Sequence, residues 1–277
     1  MAGQSSGRVI AYFLIAFGLN WLIWGAMLWY QRADDHVIPQ LAFLLSVWGP
    51  LVAAISLTWR DEGFAGVRQL LARGLRWRVR WYWYAIVLVA YPFVVSGVTA
   101  GLAEVVSLGG IPMQTDLSLR LLLGTLFVSA VVLVFEEYGW RGYALPRLQA
   151  KLGAWHASLL IGVLWGVWHL PLWLLQPQRA MGGPFALAFG VFVFGCIAAS
   201  VLYTCVYNGT GGSLLLVGLI HGVDDVLVGW VWATDDADKL AWLAVFLCVQ
   251  AVAALLLLWR FGPARLTSVA IPADAHP

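Results

Sequence analysis

Phe135-Glu136-Glu137-Tyr138-Gly139-Trp140-Arg141 sets two adjacent carboxylates and an arginine at the end of an apolar run that begins near Leu117. Ionisable side chains inside such a run are rare, because each costs several kcal/mol in hydrocarbon unless it is paired or hydrated. A cluster of them therefore reads by default as a functional site within a membrane. The surrounding chain agrees with a membrane setting: its 277 residues are 62% hydrophobic and 11% charged, with a mean hydropathy of +0.84, well outside the range of soluble domains. Apolar runs of about 20 residues recur from end to end, the length needed to cross a hydrocarbon layer of about 30 Å.

Working outward from the cluster, eight spans are expected, at roughly 9–30, 39–59, 81–103, 118–140, 156–175, 184–207, 212–233 and 240–260. The fold class is all-α, a polytopic transmembrane helix bundle forming a single domain over 1–277. Gly49-Pro50, Pro92 and Pro171 do not break that count, since neighbouring helices or water can satisfy the backbone groups that proline frees. The first run is too long for a signal-peptide core and lacks a small-residue cleavage site, so it reads as a retained anchor. The segment after Arg265 is short and contains Ala and Pro, and a disordered tail is expected over about 266–277.

Arginine and lysine placement orients the bundle. With the N-terminus inside, the inner side receives Arg8, the six arginines from Arg60 to Arg80, Arg141, Arg147, Lys151, Arg260 and Arg265, twelve of the sixteen basic residues. The outer side keeps Arg32, Arg120, Arg179 and Lys239, together with the acidic Asp34-Asp35, Glu104, Asp116 and Asp235-Asp236-Asp238. An even number of spans with both ends cytoplasmic follows. The preference for arginine over lysine points to a GC-rich bacterial genome and hence to a bacterial plasma membrane. The 60–80 loop, apolar with spaced arginines, reads either as a surface helix directing its arginines to anionic headgroups or as a topology signal alone. A net charge of +2, scattered along the chain, excludes nucleic acid as a partner. Cys196, Cys205 and Cys248 lie in apolar runs without metal-ligand spacing and read as small core hydrophobes.

Within the spans the ionisable residues are Glu136, Glu137 and Arg141, then His169, then His221, Asp224 and Asp225. Glu137 and Arg141 stand four apart and can pair directly on a helix, which could be a purely structural ion pair. Glu136 points about 100° away and cannot readily share that arginine. Either histidine alone could be an interhelical hydrogen bond. Asp225, four residues after His221, could orient or neutralise it, and Asp224 on another face reads as a loosely solvated neighbour. Jointly, a carboxylate, two imidazoles and an Asp around one pocket suffice to deprotonate a water and stabilise an oxyanion, the minimum for amide hydrolysis.

Glu136-Glu137-x-x-x-Arg141 resembles the EExxxR motif of the CPBP family, the CAAX prenyl proteases and bacteriocin-processing enzymes also called Abi proteins. Trp165-x-x-x-His169 resembles the family's FxxxH motif with Trp for Phe, and His221-x-x-x-Asp225 its HxxxN/D motif with the less common Asp. Asn208-Gly209-Thr210-Gly211-Gly212-Ser213-Leu214 is similar to the polar lead-in to the third motif. The likeness covers about 117–231, under half of the chain. It implies an intramembrane endopeptidase acting on a membrane-associated peptide or protein, with Glu136 activating water, His169 assisting, and His221 and Asp225 polarising the scissile carbonyl and holding the oxyanion. Glu137 and Arg141 would shape the site. An ionised Asp225 cannot donate to an oxyanion as Asn could, so it would be protonated or act through His221. Glu136, His169, His221 and Asp225 could instead hold a Zn²⁺ with an open position, but no HExxH is present and metal-free catalysis is favoured. Signatures of rhomboid-like, site-2-type and GxGD-type proteases are absent. The competing classes are a proton- or ion-coupled transporter using the same Glu/His/Asp cluster, which would predict inverted repeats, and a non-catalytic scaffold or immunity factor. Oligomeric state and the exact substrate are not written in the sequence.

Overall fold

The computed structural model describes residues 2–34, 47–106, 108, 119–233 and 238–268. Helices α1 (Ala2–Asp34), α2 (Gly49–Ala72) and α3 (Tyr82–Val105) precede α4 (Leu119–Val132). The last of these continues through two π-helical turns, Leu133–Glu137 and Trp140–Ala144, into α5 (Leu145–Trp168). Then come α6 (Leu170–Leu175), α7 (Phe185–Gly209), α8 (Leu214–Ala233) and α9 (Lys239–Phe261). No strand occurs among the described residues. The fold is an all-α membrane helix bundle, as the sequence requires.

Five helical stretches are long and apolar enough to cross a membrane, Gly7–Tyr30, Tyr82–Val105, Trp140–Leu175, Phe185–Gly209 and Lys239–Phe261. The other three expected spans are helical over 49–59, 119–140 and 214–233. Residues 39–46 of the second span and residue 118 of the fourth lie outside the described residues, as do the acidic positions 35, 116, 235 and 236. Prolines fall where helices tolerate them: Pro50 and Pro171 occupy first turns, where the missing N–H had no intrahelical partner to lose, and Pro146 follows the second π-helical turn. Two helices are broken by glycine at positive φ, α2 at Gly63 (64°) and α5 at Gly153 (74°). Side chains with a Cβ rarely adopt that conformation, so these two positions set where the chain changes direction.

Two apolar clusters hold the bundle. The larger joins α1, α2, α5, α7 and α8 through Tyr12, Trp24, Trp140, Trp168 and Tyr203; the smaller joins α3, α8 and α9 through Val95, Val223, Trp242, Phe246 and Leu247. Apolar side chains on the outer faces, among them Leu14, Leu22 and Leu255, are exposed, as lipid-facing positions should be. Cys196 and Cys205 are buried, as expected, whereas Cys248 is exposed and so faces outward from α9 instead of packing in the core.

One end of the bundle is tied by polar contacts. Arg73 donates to the Gly142 carbonyl (3.2 Å) and the Tyr207 hydroxyl (3.4 Å), Arg76 donates to the Gly211 carbonyl, and Ser213 donates back to the Arg76 carbonyl at 2.7 Å. The amides of Ala154 and Trp155 donate to the carbonyls of Ala264 and Pro263, both at 2.9 Å, and Asn208 Nδ2 reaches the Arg265 carbonyl at 2.8 Å. Arg8 pairs with Asp61 (3.1 Å) and Arg147 with Glu62 (3.2 Å). The segments that the basic residues assigned to the inner side are thus gathered onto one face, with the 207–213 stretch beside them. The arm after Gly63 is a helix that buries Gly66, Val67 and Leu70, but Arg73 and Arg76 bond to protein carbonyls, which corrects the picture of arginines directed uniformly at headgroups. Leu266 is fully buried and Thr267 nearly so. Packing therefore extends past residue 265, and residues 269–277 of the expected tail lie outside the described residues.

Candidate active site

The two π-helical turns place the acidic motif. Each widens the helix and inserts a residue relative to α-helical phase, a distortion that recurs at functional sites. Across them Glu136 and Glu137 diverge. Glu136 lines a cavity of about 450 Å³ and accepts a hydrogen bond from Trp165 Nε1 at 2.7 Å. Glu137 turns into the protein, fully buried, and its Oε1 accepts from Arg141 at 2.8 Å. The four-residue spacing thus gives the ion pair that it suggested, and Glu136 does not share it.

His169 sits between α5 and α6, where the ring of Pro171 prevents the helix from continuing. Its Nδ1 is 2.9 Å from the Trp165 carbonyl, and a carbonyl can only accept, so Nδ1 carries the proton. In the neutral ring Nε2 is then left as an acceptor. The imidazole is walled by Trp165, Trp168 and Phe192.

His221 is buried on α8 and its Nδ1 lies 2.7 Å from Glu137 Oε1, the oxygen that Arg141 also uses. Asp225 is farther, with Oδ1 3.8 Å from Nε2 and 46% of its side chain exposed. That is beyond hydrogen-bond range, so Glu137, not Asp225, orients the ring. The arginine in turn lies against two rings, its guanidinium 5.1 Å from the Trp165 ring centroid and 4.9 Å from that of Tyr203, distances at which an aromatic ring attracts a cation.

Glu136, His169, His221 and Asp225 all line the one cavity, while Glu137 and Arg141 stand behind it. Two further ionisable residues join the wall. Asp224, expected to be loosely solvated, is instead buried and accepts from Tyr203 (2.7 Å), Gln250 (2.8 Å) and Tyr91. Nothing in its own helix signals this, because all three donors come from other helices. Arg179, placed by the sequence in an outer loop, lines the same cavity and donates from Nε to Gln176 Oε1 at 2.6 Å. Burial pulls its guanidinium down to about 10, with the Asp225 carboxylate opposing the shift. Apolar side chains, including Phe127, Val131, Phe135 and Leu243, complete the lining.

Among the described residues no group of three His, Cys, Asp or Glu converges to hold a metal ion. Glu136, His169, His221 and Asp225 share a cavity without being gathered into such a group.

Residues 118–227 match the family model described as type II CAAX prenyl endopeptidase Rce1-like. A stretch of 64 residues is 41% identical to CAAX prenyl protease 2 of Methanococcus maripaludis strain S2, a match spanning 23% of this chain and 22% of that protein. Together the two matches support the CPBP family, that of the CAAX proteases.

Proposed function

We propose that this CPBP-family chain is an intramembrane endopeptidase that hydrolyses a peptide bond of a membrane-associated, prenylated substrate with a glutamate-activated water. The observation that carries the reading is that Glu136, His169, His221 and Asp225, from separate parts of the chain, line one cavity whose remaining wall is largely apolar. Glu136 takes a proton from water, and the oxygen adds to the scissile carbonyl carbon. His169 Nε2, the nitrogen left as acceptor by the Trp165 contact, holds the other water proton. His221, protonated on both nitrogens, donates one to Glu137 and the other to the oxyanion, in the manner of preorganised donors aimed at developing charge. The oxyanion then reforms the carbonyl as the C–N bond breaks, and the proton on Glu136 passes to the leaving amine. Asp225, too far from His221 to be its orienting partner, acts from the cavity side on the charge of that ring.

The test uses purified protein in liposomes and an internally quenched peptide carrying a farnesylated cysteine followed by three residues. Wild type is expected to cleave it, and Glu136→Gln to lose at least about 10²-fold in kcat, the typical contribution of a positioned base. Equal cleavage by the two proteins removes the reading. Chelator treatment is expected to leave the rate unchanged; inactivation reversed by Zn²⁺ would replace the glutamate mechanism with a metal one.

A further inference from the structure

Asp224 has no part in the chemistry just described, yet it is the carboxylate in the cavity wall with the most hydrogen-bond donors among the described residues. Its Oδ1 accepts from Tyr91 of α3 and from Gln250 of α9, and its Oδ2 accepts from Tyr203 of α7. Gln250 Nε2 also donates to the Tyr91 hydroxyl at 2.7 Å. In this amide orientation the nitrogen end of Gln250 faces Asp224, as an ionised carboxylate, which only accepts, requires. Four helices therefore meet on one buried side chain. Two of them, α3 and α9, lie outside residues 118–227, which match the family model.

Two connections run from Asp224 to the reacting groups. The first is through Tyr203: its hydroxyl holds Asp224 while its ring lies against Arg141, which also lies against the ring of Trp165. Arg141 donates to Glu137, which orients His221, and Trp165 donates to Glu136. The second is along α8, where Asp224 is three residues past His221 and so on an adjoining face one turn on. Anchoring Asp224 to three helices fixes the rotation and height of α8 at the histidine.

We propose that Asp224 is a positioning residue of this site: through Tyr203 and the α8 turn it shares with His221, it holds the Arg141–Glu137–His221 assembly in register with Glu136. Through Tyr91 and Gln250 it makes that register depend on α3 and α9. The role rests on the endopeptidase reading, and its experiment separates the two.

Asp224→Asn, Tyr203→Phe, the double variant, and Gln149→Met as a control are compared on the farnesylated quenched peptide in liposomes. Gln149 pairs with Asn208 at 3.2 Å in a buried position away from the cavity, so the control also loses a buried polar pair. Each single variant is expected to lower kcat roughly tenfold or more, the scale of a small misplacement of reacting groups, with KM within about twofold. The double variant should be no worse than the poorer single, because both cut one connection. Tyr203→Phe keeps the ring over Arg141 and carries the test if Asp224→Asn does not fold. A second readout needs no turnover: in protein labelled with ¹⁵N-histidine, the His221 Nδ1 resonance should shift in Asp224→Asn and Tyr203→Phe but not in Gln149→Met. A kcat in Tyr203→Phe within about twofold of wild type, additive losses in the double variant, or an unmoved His221 resonance overturns the proposal. If wild type does not cleave the peptide, the endopeptidase reading is what fails, and the His221 resonance alone decides the positioning role.

Discussion

Adjacent glutamates in one motif have different surroundings and should fail differently. Glu136 has one protein donor, Trp165, and faces the cavity. Glu137 is fully buried between Arg141 and His221. Removing one partner of a buried ion pair leaves an uncompensated charge, at about 3–5 kcal/mol. Glu137→Ala is therefore expected to lower unfolding stability in detergent by roughly that amount and to abolish turnover as well. Glu136→Gln should leave the unfolding midpoint near wild type while turnover is lost. Equal destabilisation in the two variants would contradict the division of labour. The Glu137–Arg141 pair is legible in the sequence because its four-residue spacing is a property of a single helix. The Glu137–His221 contact is not, since it depends on how α4 and its continuation pack against α8. The same limit explains Asp224: its three donors lie at sequence separations of 133, 21 and 26 residues, which no local pattern reports.

That packing is set by small residues at the element scale. Gly218 and Gly222 of α8 lie against α4, where a Cβ on Gly222 would fall 2.6 Å from both Cα and N of Ser129 and a Cβ on Gly218 would fall 2.8 Å from Leu133 Cβ. Close approach through small residues spaced four apart is a general means of joining helices in lipid. Here it brings Leu133, the first residue of the π-helical turn that carries Glu136, against the helix of His221. Gly222→Ala meets backbone, which cannot rotate aside, so the helices must separate. The expected result is a loss of about 1–3 kcal/mol in stability, typical of overpacking, together with a fall in kcat from displacement of the neighbouring His221. A stability change without a change in kcat would show that the α4–α8 spacing does not set the site. The helices themselves were readable from runs of about 20 apolar residues. The π-helical turns were not, because an inserted residue in helical phase leaves no mark on composition or period.

At the scale of the whole molecule, charge and contact agree without having been derived from one another. Arg8, the 60–80 arm, the Gly153 turn and the segment after α9 were grouped by the distribution of Arg and Lys alone. The bundle joins these same segments through the carbonyl bonds of Arg73 and Arg76, the Ala154–Ala264 and Trp155–Pro263 pairs, and the Asn208–Arg265 bond. Helices with those ends on one face must cross an even number of times between Arg8 and Arg265, which matches eight crossings and no odd count. Ion pairs with one solvent-facing partner, such as Arg8–Asp61, add little energy at a surface, about 0–1 kcal/mol each, so the shared face is held mainly by carbonyl contacts and packing. The topology predicts a labelling pattern. In protein with Cys196, Cys205 and Cys248 replaced, Lys151→Cys beside the Gly153 turn and Asp238→Cys ahead of α9 should lie on opposite sides of the membrane. A membrane-impermeant maleimide should modify Asp238→Cys in right-side-out vesicles and Lys151→Cys only in inverted ones. Modification of both from one side would break the even count, and the reversed pattern would keep the bundle while inverting its orientation, placing the basic face outside against the charge bias.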